Sequence, residues 1–366
     1  MATTADPVLA PTPSRSAAAT RLISLDAYRG FIMLLLASSG FGLGVLKNTP
    51  DWAWLAAQVD HAAWEGCTFW DLIQPAFTFM VGVAMPLAFA RRTAEGKPLL
   101  GHALWRACLL ILLSNIYSNW GSTKGLRFQL INVLCQIALG YVLCYFITRL
   151  RFLHQAIAAG LILAGYWGLY LAFPGPDGPF SQNGNIGVVL DLHLLGYNYS
   201  GYYVTLNAVG NAMTILFGCW AGTLLQTSRA HAEKLKVLIG SAVACFALGL
   251  ALQPVNPMVK RLWTVSFTFF SAGWVLLMLI VFYWLVEVKQ QKRWTFPFVV
   301  VGANSIFIYS LGQIGIKAWL DRGLSAFTGR FSFLGEYGVI PHQIVVVACM
   351  WYACYWLYQR RIFFKV

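Results

Sequence analysis

Ten long apolar stretches constrain this chain more than any other feature of its sequence. Each is about 17 to 24 residues long, which as a helix is enough to cross roughly 30 Å of bilayer hydrocarbon. They lie near residues 29–46, 70–90, 103–120, 129–148, 154–173, 204–226, 235–252, 263–286, 296–316 and 340–358. Charged residues make up only 11% of the chain, whereas soluble domains carry about 25%. The sequence therefore predicts an all-α, polytopic membrane protein with about ten transmembrane helices.

The two ends of the chain differ in composition. Residues 1–20 are rich in Ala, Thr, Ser and Pro and contain no apolar core of the kind a signal peptide needs. We expect a disordered cytoplasmic tail over 1–20, followed by a single transmembrane domain over 21–366.

The basic residues indicate a topology rather than a nucleic-acid partner. The net charge is +13, and the 26 Lys and Arg lie mostly in short loops between apolar stretches. With ten spans and alternating loops, 18 of these 26 fall on the side of the N-terminus. Because cytoplasmic loops are enriched in Lys and Arg, both termini are predicted to be cytoplasmic. The same assignment places His61 on the outer side and Asp26 and Arg29 near the inner face.

Several enzyme and pump signatures are missing from the sequence. It contains no Walker A phosphate loop, no GxGxxG dinucleotide motif, no HExxH zinc motif and no GxSxG serine elbow. None of its eight cysteines form a CxxC pair, so neither a metal site nor a disulfide framework is predicted.

Four ionisable residues between 21 and 92 are the candidates for chemistry. Charges beside hydrocarbon are costly and usually mark a functional site or a buried pair. His61 has Asp71 ten residues later, and a carboxylate that orients an imidazole makes it a competent base near neutral pH; a solvated loop histidine is the alternative. Asp26 and Arg29 are three residues apart on one helical face. They form either a helix-entry ion pair or a site in which Arg29 meets a phosphate or pantetheine group.

The same residues carry a resemblance to a known family. The first two blocks are Ser24-Leu25-Asp26-Ala27-Tyr28-Arg29-Gly30 and His61-x-x-Trp64-x-Gly66-x-x-x-x-Asp71-Leu72-x-x-Pro75-x-Phe77. Looser blocks follow in order at Val133 to Leu139, Asp191 to Gly196, Leu262 to Thr264 and Gly302 to Ile306. Together they resemble the heparan-α-glucosaminide N-acetyltransferase family and its bacterial relatives over nearly the whole chain after residue 20.

The resemblance implies a transmembrane acyltransferase. It implies that acetyl-CoA (acyl-CoA) in the cytoplasm is the donor and that a sugar or glycan on the outer face is the acceptor, without a metal. The family's active-site histidine falls on His61, either as an acetylated intermediate or as a general base, with Asp71 beside it. Asp26, Arg29 and Asn304 are assigned to the donor. The expected location is a bacterial inner membrane. The expected partners are the lipid bilayer and a second copy of the chain in a homodimer, and no nucleic acid is expected.

Three positions depart from the family pattern. A polar Asn of the family falls on Gly40, a Gln-Arg pair falls on Cys135-Gln136, and an acidic segment is replaced by Tyr202-Tyr203-Val204-Thr205. The loss of an outer acidic pair weakens the prediction of a cationic amino sugar as acceptor.

Three other functions are compatible with parts of the sequence. In a transporter of a small sugar or related solute, His61 and Asp71 would gate rather than catalyse, but no inverted repeat is evident in the sequence. Other membrane acyltransferases share the Leu-Asp-x-x-Arg-Gly start, yet they carry a histidine inside the first helix, where this chain has Leu-Ala-Ser-Ser. A catalytically inactive membrane scaffold is the third alternative.

Overall fold

A computed structural model describes residues 22–123, 125–198 and 203–364. In these ranges the chain forms helices joined by turns and loops, so the predicted all-α class is confirmed. The α-helices are α1 (Ile23–Ser38), α2 (Ala53–Gln58), α3 (Ile73–Ala94), α4 (Leu99–Asn119), α5 (Val133–Ile147), α6 (Phe152–Ala172), α7 (Ile186–Leu195), α8 (Ala208–Gln226), α9 (His231–Leu252), α10 (Val265–Tyr283), α11 (Phe296–Ala303), α12 (Ser305–Gln313), α13 (Ile316–Thr328) and α14 (Val339–Gln359).

The number of membrane spans is lower than the sequence predicted. Among the described residues, eight helical segments are long and apolar enough to cross a membrane, or nine if a bent pair counts as one span. The prediction of about ten was therefore wrong. The stretch predicted at 129–148 yields only the 15 residues of α5, about 22 Å of helix. The stretch predicted at 296–316 is broken at Asn304, where α11 and α12 meet at 62°.

Glycines allow two pairs of helices to touch backbone to backbone. A Cβ atom on Gly82 of α3 would lie 1.9 Å from the carbonyl oxygen of Ile215 in α8. A Cβ atom on Gly30 of α1 would lie 1.7 Å from the carbonyl oxygen of Phe298 in α11. Small residues at such crossings let helices pack closely within a bilayer. These contacts hold α1, α3, α8 and α11 in a fixed frame.

Several helices begin at one end of the bundle, which we call the site end. Gln74 in the first turn of α3 donates to Gln136 in the first turn of α5 (2.5 Å). Phe89, near the end of α3, contacts Tyr145, near the end of α5 (ring centroids 5.8 Å apart). The two helices therefore run in the same direction. The loop that carries His61 precedes α3 and lies at the site end; the opposite end is called the far end.

Candidate active site

The connection from α2 to α3 is a folded loop that presents His61. The Thr68 hydroxyl donates to the Asp60 carbonyl (2.7 Å), and the Gly66 amide donates to the carbonyl of Met258 in the segment before α10 (2.8 Å). Gly66 has φ +112°, a conformation that side-chain-bearing residues rarely adopt. The loop is thus fixed both to itself and to a distant part of the chain.

His61 and Asp71 form a direct pair. The distance from His61 Nδ1 to Asp71 Oδ1 is 2.7 Å. Because an ionised carboxylate only accepts hydrogen bonds, Nδ1 carries the hydrogen, and in the neutral ring Nε2 has the free lone pair. The His61 side chain is 30% exposed while that of Asp71 is 2% exposed. The ring is therefore held from the protein side and remains accessible on the other.

Hydrogen bonds from the loop fix the Asp71 carboxylate in place. Its Oδ2 accepts from the amides of Ala62 (3.1 Å) and Thr68 (3.1 Å), and the Thr68 hydroxyl lies at the same oxygen (3.1 Å). These bonds to the charged form compensate for its burial. Asp71 is consequently a fixed carboxylate that orients His61.

Lys260 is a third member of this cluster, and no motif in the sequence indicates it. Its Nζ lies 3.3 Å from Asp71 Oδ1 and 3.2 Å from His61 Nδ1, and its side chain is 7% exposed. Since Nδ1 already bears a hydrogen, the ammonium donates to the carboxylate rather than to the ring. Lys260 therefore balances the negative charge of Asp71 beside the imidazole.

A cavity of about 150 Å³ opens beside the His61 ring. It lies between α1, α3, α5 and α12, and its floor is apolar. Its lining includes His61, Gln74, Tyr203, Lys260, Met33, Leu36, Phe77 and Tyr309. The imidazole and the ammonium thus face a pocket that continues into the bundle.

Gln74 and Tyr203 line the polar side of this cavity, and a second amide lies behind them. Gln136 is fully buried and accepts from Gln74, whose own carbonyl accepts from the Tyr203 hydroxyl (3.3 Å). Burial, together with the nearby Asp71 carboxylate, raises the pKa of the Tyr203 phenol, which keeps it a neutral donor. Gln136 and Tyr203 are two of the positions at which the sequence departs from the family pattern. Tyr203 lines the cavity, and Gln136 holds the Gln74 side chain that does so.

Cys67 lies next to the site without being poised for reaction. Burial, and then the Asp71 carboxylate, raise the pKa of its thiol to about 12, while Lys260 opposes this shift. A thiol with so high a pKa is a poor nucleophile near neutral pH. No three His, Cys, Asp or Glu side chains converge as a metal site would require in the part of the chain that is described.

The other predicted site residues lie away from His61. Asp26 and Arg29 form an i,i+3 ion pair (3.7 Å) near the start of α1, at the far end. Asn304 is fully buried at the α11–α12 break. Its amide donates to the Ile362 carbonyl (3.1 Å) and accepts from the Phe364 amide (3.0 Å), so it holds the C-terminal segment.

The remaining departures from the family pattern have structural consequences or lie outside the described residues. Gly40 has φ +71°, and a Cβ atom there would lie 2.8 Å from the Val59 side chain, so an Asn at this position would not fit the present loop. Thr205 donates its amide to Asp191 (3.1 Å). Tyr202 lies outside the residues that the structure describes.

Comparison with known proteins supports the resemblance seen in the sequence. No family model matches the chain. It is 25% identical over 426 aligned positions to the heparan-alpha-glucosaminide N-acetyltransferase of Homo sapiens, covering 96% of this chain and 61% of that protein. It is 24% identical to the enzyme of the same name from Mus musculus, covering 96% of this chain and 62% of that protein. The chain thus spans about three fifths of the length of these relatives, and it is a divergent relative of that family.

Proposed function

We propose that this chain is a membrane acetyltransferase that moves an acetyl group from acetyl-CoA to a sugar or glycan, with His61 at the reacting centre. The observation that carries the proposal is the His61–Asp71 pair at 2.7 Å, which leaves Nε2 of a neutral ring free beside a cavity. The similarity to two N-acetyltransferases over 96% of the chain supports the same reaction class.

Two routes are compatible with this geometry. In the first, Nε2 attacks the thioester carbonyl, the carbon–sulfur bond breaks, and CoA leaves as a thiolate; the acceptor then takes the acetyl group from the ring. In the second, Nε2 removes a proton from the acceptor amine as that amine attacks the thioester carbonyl; the carbon–sulfur bond breaks and CoA leaves as a thiolate. Asp71 stabilises the proton on Nδ1 in both routes, and Lys260 keeps the buried cluster near charge balance.

We propose further that the far end faces the cytoplasm of a bacterial cell and that the site end faces outward. Basic residues at the far end support this orientation, among them Arg91 and Arg92 in the last turn of α3 and Lys97 in the connection to α4. Donor and acceptor would approach His61 from opposite faces.

The proposal is tested with protein reconstituted into liposomes of known orientation. Acetyl-CoA labelled in the acetyl group is supplied on the far-end side and glucosamine on the site-end side. We expect labelled N-acetylglucosamine on the glucosamine side with the wild type and none with His61→Ala. His193→Ala, which removes an exposed histidine of α7, is the matched control and should keep full activity. Glucosamine that crosses unmodified would favour the transporter, and transfer by His61→Ala at the wild-type rate would refute the proposed site.

The two routes are separated by omitting the acceptor. Wild-type protein is mixed with labelled acetyl-CoA, quenched and digested. Label retained on the peptide that contains His61 indicates the acetylated intermediate, whereas an unlabelled peptide from protein that is active with acceptor indicates direct attack.

A further inference from the structure

Helix α7 is a short apolar helix that lies against the bundle at the site end. Asn185 caps its start by accepting from the Gly187 amide (2.9 Å), and Gly196 ends it with φ +66°. Its ten residues make about 15 Å of helix, half the thickness of the bilayer hydrocarbon. Val189 and Leu192 are both more than half exposed. An exposed apolar surface on a membrane protein indicates contact with lipid, so one side of α7 faces the bilayer.

A cavity of about 310 Å³ lies between α7, α5 and the start of α8, and we call it the apolar cavity. Of the eleven described residues that line it, nine are apolar, including Leu139 and Leu143 of α5 and Leu190 and Leu194 of α7. Leu194 is 73% exposed, so the cavity reaches the lipid-facing surface of α7. Its volume is in the range of pockets that bind small organic molecules, and apolar walls exclude water. A hydrocarbon chain is the chemistry that suits such walls.

The apolar cavity adjoins the cavity beside His61 at two points of the chain. Tyr203 lines the His61 cavity, and Thr205, two residues later, lines the apolar cavity. Val133 and Leu130, three residues apart, line the same two cavities in turn. Two residues of extended chain span at most about 7 Å, and three span about 11 Å. The two cavities are therefore neighbours, and one molecule with a sugar and a hydrocarbon chain can occupy both.

Asp191 of α7 fixes the chain segment that separates the two cavities. Its carboxylate accepts from the Thr205 amide (3.1 Å) and from the Asn198 side-chain amide (3.2 Å). Asp191 is also the one charged side chain among the described residues that line the apolar cavity, and none of them is cationic. A phosphate group therefore finds no cationic partner in this wall. An acceptor whose chain is attached through an uncharged glycosidic bond fits better than one attached through phosphate.

We propose that the acceptor is a glycolipid, whose sugar reaches His61 while its hydrocarbon chain lies in the apolar cavity. The inference rests on the proposed function, because it names the substrate class of the same site. An acceptor held by its chain presents its amine to Nε2 of His61 in a defined position, and positioning of this kind contributes to the rate. A chain of an ordinary membrane lipid is the competing occupant.

The test compares two acceptors that share one amino-sugar headgroup, methyl glucosaminide and dodecyl glucosaminide, in the same phosphatidylcholine liposomes with labelled acetyl-CoA. Leu143→Trp and Leu190→Trp each place a bulky ring in the apolar cavity. We expect kcat/KM for the dodecyl acceptor to fall on the order of 10-fold to 10²-fold, because a displaced chain moves the sugar away from His61. The methyl acceptor should be used at the wild-type rate, which shows that each variant is folded. Leu192→Trp adds the same ring to the lipid-facing side of α7 and is the matched control; both acceptors should be unaffected.

A second arm does not depend on transfer. Dodecyl glucosaminide with a diazirine at the end of its chain is photolysed with the protein in phosphatidylcholine nanodiscs, and the labelled peptides are identified by mass spectrometry. Labelling of α5 and α7 that excess dodecyl glucosaminide suppresses, and that Leu190→Trp loses, would support the chain site even if the wild type transferred no acetyl group. That inactivity would refute only the proposed function.

Three results would overturn the inference. One is labelling of α5 and α7 that excess dodecyl glucosaminide does not suppress, since the cavity would then hold ordinary membrane lipid. The second is wild-type kcat/KM for the dodecyl acceptor in both Leu143→Trp and Leu190→Trp. The third is transfer by the wild type to the methyl acceptor and not to the dodecyl acceptor. The last two would leave the proposed acetyl transfer intact.

Discussion

Replacing Asp71 by Asn changes one atom of the candidate site and tests its central contact. If the Asn oxygen takes the place of Oδ2, it still accepts from the Ala62 and Thr68 amides. Its NH₂ group then faces Nδ1 of His61 and Nζ of Lys260, which are both donors in the wild type. His61 can accept from this group only through Nδ1, which moves the ring hydrogen to Nε2. The reacting nitrogen is thereby blocked.

Two separate losses follow from this change. Activity should fall on the order of 10⁴-fold, the effect of leaving a catalytic histidine in the wrong tautomer. Stability should also fall, because the Lys260 ammonium is 7% exposed and loses its carboxylate partner. Removing one member of a buried ion pair costs about 3–5 kcal/mol. A lower rate alone would therefore not show whether the variant has lost the catalytic contact or its folded structure.

A second substitution separates the two losses. In Asp71→Asn with Lys260→Met the ammonium that lost its contact with Asp71 is gone, so the apparent thermal midpoint of the detergent-solubilised protein should recover much of its fall. The initial rate of acetyl transfer should stay low, because the tautomer is still wrong. Asp60→Asn is the matched control: its Oδ1 accepts from the backbone amide of His61 (2.8 Å) and not from the ring, so the rate should change little.

Either of two results would refute the role of Asp71 in fixing the His61 tautomer. One is an Asp71→Asn protein that keeps more than about a tenth of the wild-type rate, which would contradict the expected 10⁴-fold loss. The other is recovery of the rate in the double variant, which would show that Asp71 acts through stability alone.

Three further predictions concern the same loop. His61→Ala should lower the rate of transfer on the order of 10² to 10⁴-fold for a general base, or more for an acyl carrier, while the thermal midpoint changes little because the side chain is 30% exposed. Since burial raises the pKa of the Cys67 thiol to about 12, its alkylation by iodoacetamide should rise about tenfold per pH unit from 7 to 9 without a plateau; a plateau near pH 9 would contradict the burial. Gly66→Ala should lower both midpoint and rate, because φ +112° costs an alanine about 1–3 kcal/mol; an unchanged midpoint would show that the loop adapts.

The sequence predicted the parts of the site that are local in the chain. His61 and Asp71 are ten residues apart within one loop, so a short-range pattern could pair them. Lys260 is 199 residues from His61. It is brought there by the segment between α9 and α10, whose Met258 carbonyl accepts from the Gly66 amide of the loop. A hint was present, since Lys260 lies on the side predicted to carry few basic residues and shortly before the start of α10 at Val265.

The number of membrane spans was predicted wrongly because hydropathy does not show where a helix is interrupted. The apolar composition of 129–148 and 296–316 predicts continuous helix, but hydropathy indicates the environment of a segment and not its geometry. Asn132 begins α5 by accepting from the Leu134 amide (3.2 Å), which shortens that helix from its start. The Asn304 side chain bonds to the C-terminal segment at the break between α11 and α12. Both breaks depend on side-chain hydrogen bonds that an apolar average does not register.

The charges at the site end compensate each other. Asp71 and Lys260 lie 3.3 Å apart beside the imidazole, so in the proposed reaction an uncharged acetyl thioester would meet little net charge there. A group that carried its own negative charge would gain no net attraction from this pair. The site end therefore suits the reactive end of the proposed donor better than its phosphate groups.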